Sequence, residues 1–160
     1  MNRFYECEGD VTTQLAPWET VRIGVRPTVS LFRIEKEIRF NSTIAGGDIV
    51  VPVGFLTDLA SIPRAGWSIF ADPDAPILDL GSIVHDWLYS HVGVIPVATP
   101  GVFGYHVVTL TRDQCDRVLA YEAMPECGSK AWQQFVVYYV LKFFGKGSFN
   151  TNPPSKRWGP

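Results

Sequence analysis

The stretch Ile83-Val84-His85-Asp86-Trp87-Leu88-Tyr89 places a histidine and an aspartate side by side inside an apolar run, and reading that run as helix or strand decides the fold. Upstream, Asp74-Ala75-Pro76 offers a proline suited to a first helical position. Asp74 or Asp79 can take up the orphan amide protons of the first turn. A helix from about Ala75 to Ser90 is expected. At 3.6 residues per turn, Ile77, Gly81, Val84, His85 and Leu88 share one inward face, and Asp86 lies about 100° round from it. Gly81, one turn before His85, costs ~1 kcal/mol against alanine inside a helix, so the space it leaves should be used by a neighbour. From this helix alone, His85 reads equally well as a hydrogen-bonded core residue or as a site residue, with Asp86 its solvated neighbour in the first case.

Composition sets the outer limits. A chain of 160 residues fits one domain, or one domain with an arm, and can bury roughly two thirds of its unfolded surface. The formal net charge of -2 and the lack of a basic run argue against nonspecific nucleic-acid binding. Five Trp, six Tyr and ten Phe can fill a core but also suit a partner-facing surface. Cys7, Cys115 and Cys127 are odd in number and lack a C-x-x-C spacing, so neither a disulfide framework nor a cysteine zinc site is indicated. No hydrophobic signal core follows Met1, and no apolar run reaches the ~18 residues of a transmembrane helix. Synthesis in a reducing cytoplasm is expected, with exit by cell lysis or a dedicated machine.

Residues 1–27 read as an arm or edge strand, with a strand-like piece at Thr20 to Val25. Residues 28–145 read as a single α+β domain, and 146–160 as an extended tail. Between Thr28 and Phe40, apolar Val29, Leu31, Phe32, Ile34, Ile38 and Phe40 alternate with charged side chains at close to the strand period of two, with a junction near Glu35 to Glu37. Gly46-Gly47 ahead of Ile49-Val50-Val51 completes a hairpin. A small antiparallel sheet built before Asp58, followed by about three helices after Ile62, is the expected architecture, because the periodicity switches there from two to 3.6.

The loop Val51-Pro52-Val53-Gly54-Phe55-Leu56-Thr57-Asp58-Leu59-Ala60-Ser61-Ile62-Pro63-Arg64 lies between the two halves. Thr57 or Asp58 can cap a short turn ended by Pro63. In a functional reading Asp58, Ser61 or the loop carbonyls face the helix carrying His85. Ser61 lacks the G-x-S-x-G setting of a hydrolase nucleophile. His91 to Val108, rich in Gly, Pro and Val, looks like an extended hairpin or flap. Thr111-Arg112-Asp113-Gln114 is a capping box for a helix to about Met124, whose inward face of Asp116, Leu119, Ala120, Ala123 and Met124 carries one carboxylate. Two helices with one polar group each on their core faces imply that His85 and Asp116 meet, since an unpaired buried charge costs several kcal/mol. A third helix, Trp132 to Phe144, is apolar nearly all round. Its roles in order are core, subunit contact and interfacial membrane contact.

Four elements together carry a resemblance: Val51-Pro52 through Pro63-Arg64, His85-Asp86-Trp87-Leu88-Tyr89, Asp116 ahead of Ala123-Met124, and Tyr138 ahead of Phe143-Phe144-Gly145. From about Leu31 to Gly145 the chain resembles a family of uncharacterised proteins of tailed bacteriophages and prophages. A second, more limited resemblance is to secreted-type phospholipases A-two. The histidine of those enzymes activates water, its neighbouring aspartate binds calcium, and a distant aspartate and a tyrosine orient the ring. This resemblance implies His85 as base, Asp116 and Tyr89 as its supports, and Asp86 as a ligand of calcium; Asp58, from the loop that faces this helix in the functional reading, is the other candidate metal ligand. The glycine-rich calcium loop and the disulfides of those enzymes are absent, and only the Gly54 to Ser61 loop stands where the former would be.

Two functions follow as expectations. One is a phage-encoded hydrolase acting on lipid or ester bonds of the host envelope through His85, Asp116, Tyr89 and Asp86, with Thr57, Ser61 and Arg64 shaping the loop. The other is a noncatalytic virion protein, a tail or tail-tip component, that assembles with other virion proteins through its aromatic helix, flap and tail.

Overall fold

The computed structural model of the chain describes residues 4–5, 14–15, 32–34, 36–57, 77–99, 101–126 and 128–151. The alternation in the N-terminal half produces strands β1 (Phe4–Tyr5), β2 (Gln14–Leu15), β3 (Phe32–Arg33), β4 (Ile38–Ser42), β5 (Gly47–Val51) and β6 (Leu56–Thr57). In β4, Ile38, Phe40 and Ser42 are buried while Arg39 and Asn41 are half-buried, the pattern of a strand with one face on the core. The hairpin joining it to β5 pairs Ile38 with Val51 and Ser42 with Gly47. Gly46 turns it with a φ of 75°, a value that glycine adopts readily.

Helix α1 (Ile77–Ser90) follows, and then β7 (Val94–Ala98) and β8 (Tyr105–Thr109). The sheet is therefore not complete before Asp58. β7 pairs with β5 and β8 with β7, giving five antiparallel strands in the order β1-β4-β5-β7-β8, beside a smaller antiparallel sheet β2-β3-β6. The segment expected as an extended hairpin or flap is a hairpin, and it lies within the main sheet. Its outer strand β8 leaves Tyr105 and Val107 exposed at the sheet edge. The expected strand piece at Thr20 to Val25 lies outside the described residues.

The remaining elements are α2 (Arg112–Arg117), a π-helical stretch Val118–Ala123, α3 (Met124–Glu126), α4 (Ala131–Phe144) and α5 (Lys146–Thr151). The capping box of α2 forms, with Thr111 accepting from the Gln114 amide at 3.2 Å and Gln114 Oε1 accepting from the Thr111 amide at 2.8 Å. Helicity at Lys146–Thr151 replaces the extended chain expected there. This helix docks on the core through Phe149, which packs edge-on against Tyr89 of α1 with ring centroids 5.1 Å apart. The fold is thus α+β.

Helix α1 lies at the centre. Gly81 through His85 and Trp87 through Ser90 are buried, and the helix touches β5, β6, α2, the π stretch, α3 and α5. Ile83, Val84 and Leu88 join Ile38, Phe40, Ile49, Val51 and Phe55 of the sheet side and Val118, Leu119 and Leu141 of the helical side in one core. Gly81 is where α1 meets the π stretch, since a Cβ there would stand 3.1 Å from Leu119 Cδ1 and 3.3 Å from the Ala123 Cβ. A larger side chain would force the two helices apart. Gly81→Leu should lower unfolding stability by ~1–3 kcal/mol through overpacking. By contrast Gly147→Ala, in α5 with open space around the new methyl, should be neutral or stabilise by up to ~1 kcal/mol. Urea unfolding of the two variants checks the contrast, and equal effects would contradict the close approach at Gly81.

Candidate functional site

His85 of α1 and Asp116 of α2 both turn into the core, and the two meet. His85 Nε2 stands 3.3 Å from Asp116 Oδ1, with the residues 1% and 0% exposed. A carboxylate only accepts hydrogen bonds, so the Nε2 proton of a neutral His85 points at Asp116 and the lone pair sits on Nδ1. That Nδ1 has no protein hydrogen-bond partner among the described residues. Tyr89, one turn after His85, donates its hydroxyl to the same Asp116 Oδ1, and its ring lies 4.0 Å from the imidazole between centroids. Burial, the negative charge of Asp116 and the hydrogen bond it accepts push the Tyr89 phenol well above the ordinary tyrosine range. Tyr89 is thus a permanent donor.

Arg112 supplies the counter-charge. Its Nη1 is 3.7 Å from Asp116 Oδ2 across one turn of α2, and the guanidinium donates to the carbonyls of Leu141 and Lys142 at 3.0 Å each. These carbonyls belong to the last turn of α4, where that of Leu141 also accepts from the Gly145 amide at 2.7 Å. Gly145 then makes room for the tyrosine, because a Cβ there would meet Tyr89 Oη and the Leu141 carbonyl at 2.7 Å each.

Asp86, one residue on, points elsewhere. It accepts a hydrogen bond from Thr57 Oγ1 of β6, so it faces the start of the loop that follows. Asp58, Ser61 and Arg64 lie outside the described residues. Among the described residues no three His, Cys, Asp or Glu side chains converge as metal ligands.

A second buried carboxylate had no warning in the sequence reading. Glu122, 5% exposed, accepts from Ser42 Oγ at 2.5 Å, from Thr43 Oγ1, and from the Thr43 and Ile44 amides at 3.0 and 3.3 Å. It ties the β4–β5 turn to the π stretch, a structural role. Five of the six residues of the π stretch are buried, Glu122 among them, so the segment is enclosed nearly all round. Arg112 was likewise passed over as a capping-box residue, although its i, i+4 spacing to Asp116 was a readable signal.

An α+β domain centred on a buried helix, with a histidine–aspartate–tyrosine cluster held between that helix and the next, is the class that fold and site define. The family model described as "Protein of unknown function (DUF1353)" matches residues 32–141, and the chain belongs to that family. No curated protein and no solved structure gives a significant match.

The buried cluster sets a pH dependence. Burial and the charge of Asp116 push the Cys115 thiol from its ordinary 9.0 up to about 12, and Tyr89 moves in the same direction. Folded-state values above unfolded ones mean that the contribution to stability is complete below pH ~9 and is lost as pH rises through the folded value. The urea midpoint should therefore fall as pH rises from about 9 to about 12, and fall less in Cys115→Ala. A midpoint as steep in the variant as in the parent would show that the thiol does not contribute.

Proposed function

We propose that this domain is a hydrolase of ester bonds in a bacterial envelope, made in the host cytoplasm from a tailed-phage or prophage gene, with His85 as its general base. One observation carries the reading. A buried imidazole holds a carboxylate on Nε2 and keeps Nδ1 free of any protein partner among the described residues. Leaving a buried nitrogen unpaired costs ~1–3 kcal/mol, and an arrangement that stores this cost calls for a use. In the proposed step Nδ1 takes a proton from water as the water oxygen bonds to the ester carbonyl carbon. The bond from that carbon to the alcohol oxygen then breaks, and the imidazolium returns the proton to the departing alkoxide. Acid and alcohol are the products.

Asp116 holds the tautomer and offsets the positive charge that appears on the ring, and Tyr89 holds Asp116. Asp86, aimed at the Thr57 loop, is the residue placed to fix the carbonyl end of a substrate, with Asp58 as its proposed neighbour and calcium as the cation they would share. The phospholipase resemblance supports the order of roles, and the phage resemblance supports the origin. Virion incorporation is part of the same proposal.

A noncatalytic virion role is the second reading, and a specific observation favours it. Apolar side chains stand exposed both on α4 and at the β7–β8 tip, where Phe103 is entirely exposed. In that case the His85 cluster is a packing device.

The two readings part on mutation. His85→Gln keeps an amide donor for Asp116 and should leave the unfolding midpoint close to that of the parent while lowering fatty-acid release from bacterial phospholipid vesicles by ~100- to 10,000-fold. Asp86→Asn should do the same, with calcium varied in parallel. Hydrolysis that survives His85→Gln, or no hydrolysis across phospholipid and ester substrates by the parent chain, would leave the virion component as the better account.

A further inference from the structure

Helix α4, apolar nearly all round and read as core, subunit contact or interfacial membrane contact, is buried on one face. Val137, Tyr138 and Leu141 enter the core, while Trp132, Phe135, Tyr139 and Phe143 stand 53%, 56%, 38% and 72% exposed. Their spacing of three, four and four puts them in one stripe on the solvent side. The stripe is ordered by its own rings, Phe135 against Tyr139 at 4.5 Å and Tyr139 stacked on Phe143 at 6.3 Å. Four large aromatic side chains do not stay in water without a partner of matching chemistry.

The charge pattern identifies the partner. From Gly128 to Pro160 the chain carries Lys130, Lys142, Lys146, Lys156 and Arg157 and no Asp or Glu, in a protein whose net charge is -2. Lys130, Lys142 and Lys146 are exposed along and beside α4. The carboxylate reaching α4 from α2 is Asp113, and it is occupied, accepting from Tyr138 Oη at 2.6 Å with Arg117 at 3.9 Å. Aromatic rings flanked by lysines, in a segment with no Asp or Glu from Gly128 onward, match the boundary of an anionic bilayer. Indole and phenol sit there at headgroup level, and cations meet lipid phosphates.

Area argues the same way. Four aromatic residues of ~200 Å² each, about half exposed, offer ~400 Å², roughly half of the ~800 Å² per partner that a stable protein interface buries. A bilayer needs no matching surface of that extent. None of the helices described is long and apolar enough to cross a membrane, so α4 would lie in the interface plane.

We propose that the outer face of α4 is a membrane-docking surface for anionic lipid, with Trp132, Phe135, Tyr139 and Phe143 inserted at headgroup depth and Lys130 and Lys146 on lipid phosphates. The proposal extends the envelope reading but does not rest on catalysis, because binding is measured without turnover. The full chain should co-sediment with vesicles containing phosphatidylglycerol, and at least ~10-fold less with pure phosphatidylcholine or at high salt. Trp132→Ser/Phe135→Ser/Phe143→Ser should lower partitioning at least ~10-fold with an unchanged thermal unfolding curve. Should that variant not fold, Lys130→Glu/Lys146→Glu decides, and it should weaken binding to anionic vesicles while leaving the weak binding to neutral ones unchanged. A parent chain that stays in the supernatant, or variants that sediment like the parent, would overturn the proposal. So would a parent dimer that the triple variant dissociates while vesicle binding is absent, since the stripe would then belong to a second copy. Loss of vesicle binding with hydrolysis of soluble esters retained would separate this surface from the His85 chemistry.

Discussion

The constraint on which the arrangement depends is a carboxylate with no access to solvent. Asp116 is fully buried, and a charge there is tolerated only if its surroundings replace water. Several elements contribute. Helix α1 sends His85 and Tyr89 to one oxygen, Arg112 approaches the other from the preceding turn of α2, and Gly145 withholds a side chain so that the tyrosine hydroxyl can reach. The cluster fixes the position of α1 against α2 more narrowly than apolar packing would, because hydrogen bonds have direction and dispersion contacts do not. Asymmetry within it is what makes chemistry conceivable. Every group around Asp116 is oriented toward it, and His85 Nδ1 is turned away from it.

Much of this frame was legible because it rests on simple periodicities. Alternation up to Phe40, followed by Gly46-Gly47 and the apolar run Ile49-Val50-Val51, made the hairpin readable, and it turns at Gly46. A hydroxyl and an amide three residues apart gave the start of α2. The meeting of His85 and Asp116 followed from burial cost alone, since two apolar faces each carrying one polar group must bring those groups together. Gly81 was likewise readable as a point of close approach, and Leu119 and Ala123 fill the space it leaves.

What escaped the sequence reading depends on tertiary context. The pairing of β7 with β5 brings together Asp48 and Ala98, fifty residues apart with a helix between them, and local pattern carries no record of it. Glu122 was missed because what buries it is the β4–β5 turn, through hydrogen bonds from Ser42 and Thr43 that are 80 and 79 residues away in the chain. The half-exposure of α4 was hidden for another reason. An apolar helix reads the same in sequence whether its outer face meets protein, lipid or water, and only the placement of Val137, Tyr138 and Leu141 shows which half is in the core.

Placement of α4 also links two parts of the molecule that look separate. Its inner face helps to close the core, its outer face carries the aromatic stripe, and its last turn is held by Arg112 through the carbonyls of Leu141 and Lys142. The same guanidinium is the positive charge nearest to Asp116 Oδ2 among the described residues. Moving the end of α4 would therefore move the counter-charge of the buried carboxylate, while Gly145 and Phe149 would carry the movement to Tyr89. Lys142 strengthens the connection on the outer side. Its ammonium donates to Tyr138 Oη at 3.2 Å, and that hydroxyl in turn donates to Asp113 on α2. Two side-chain routes thus tie the exposed helix to the helix that carries Asp116.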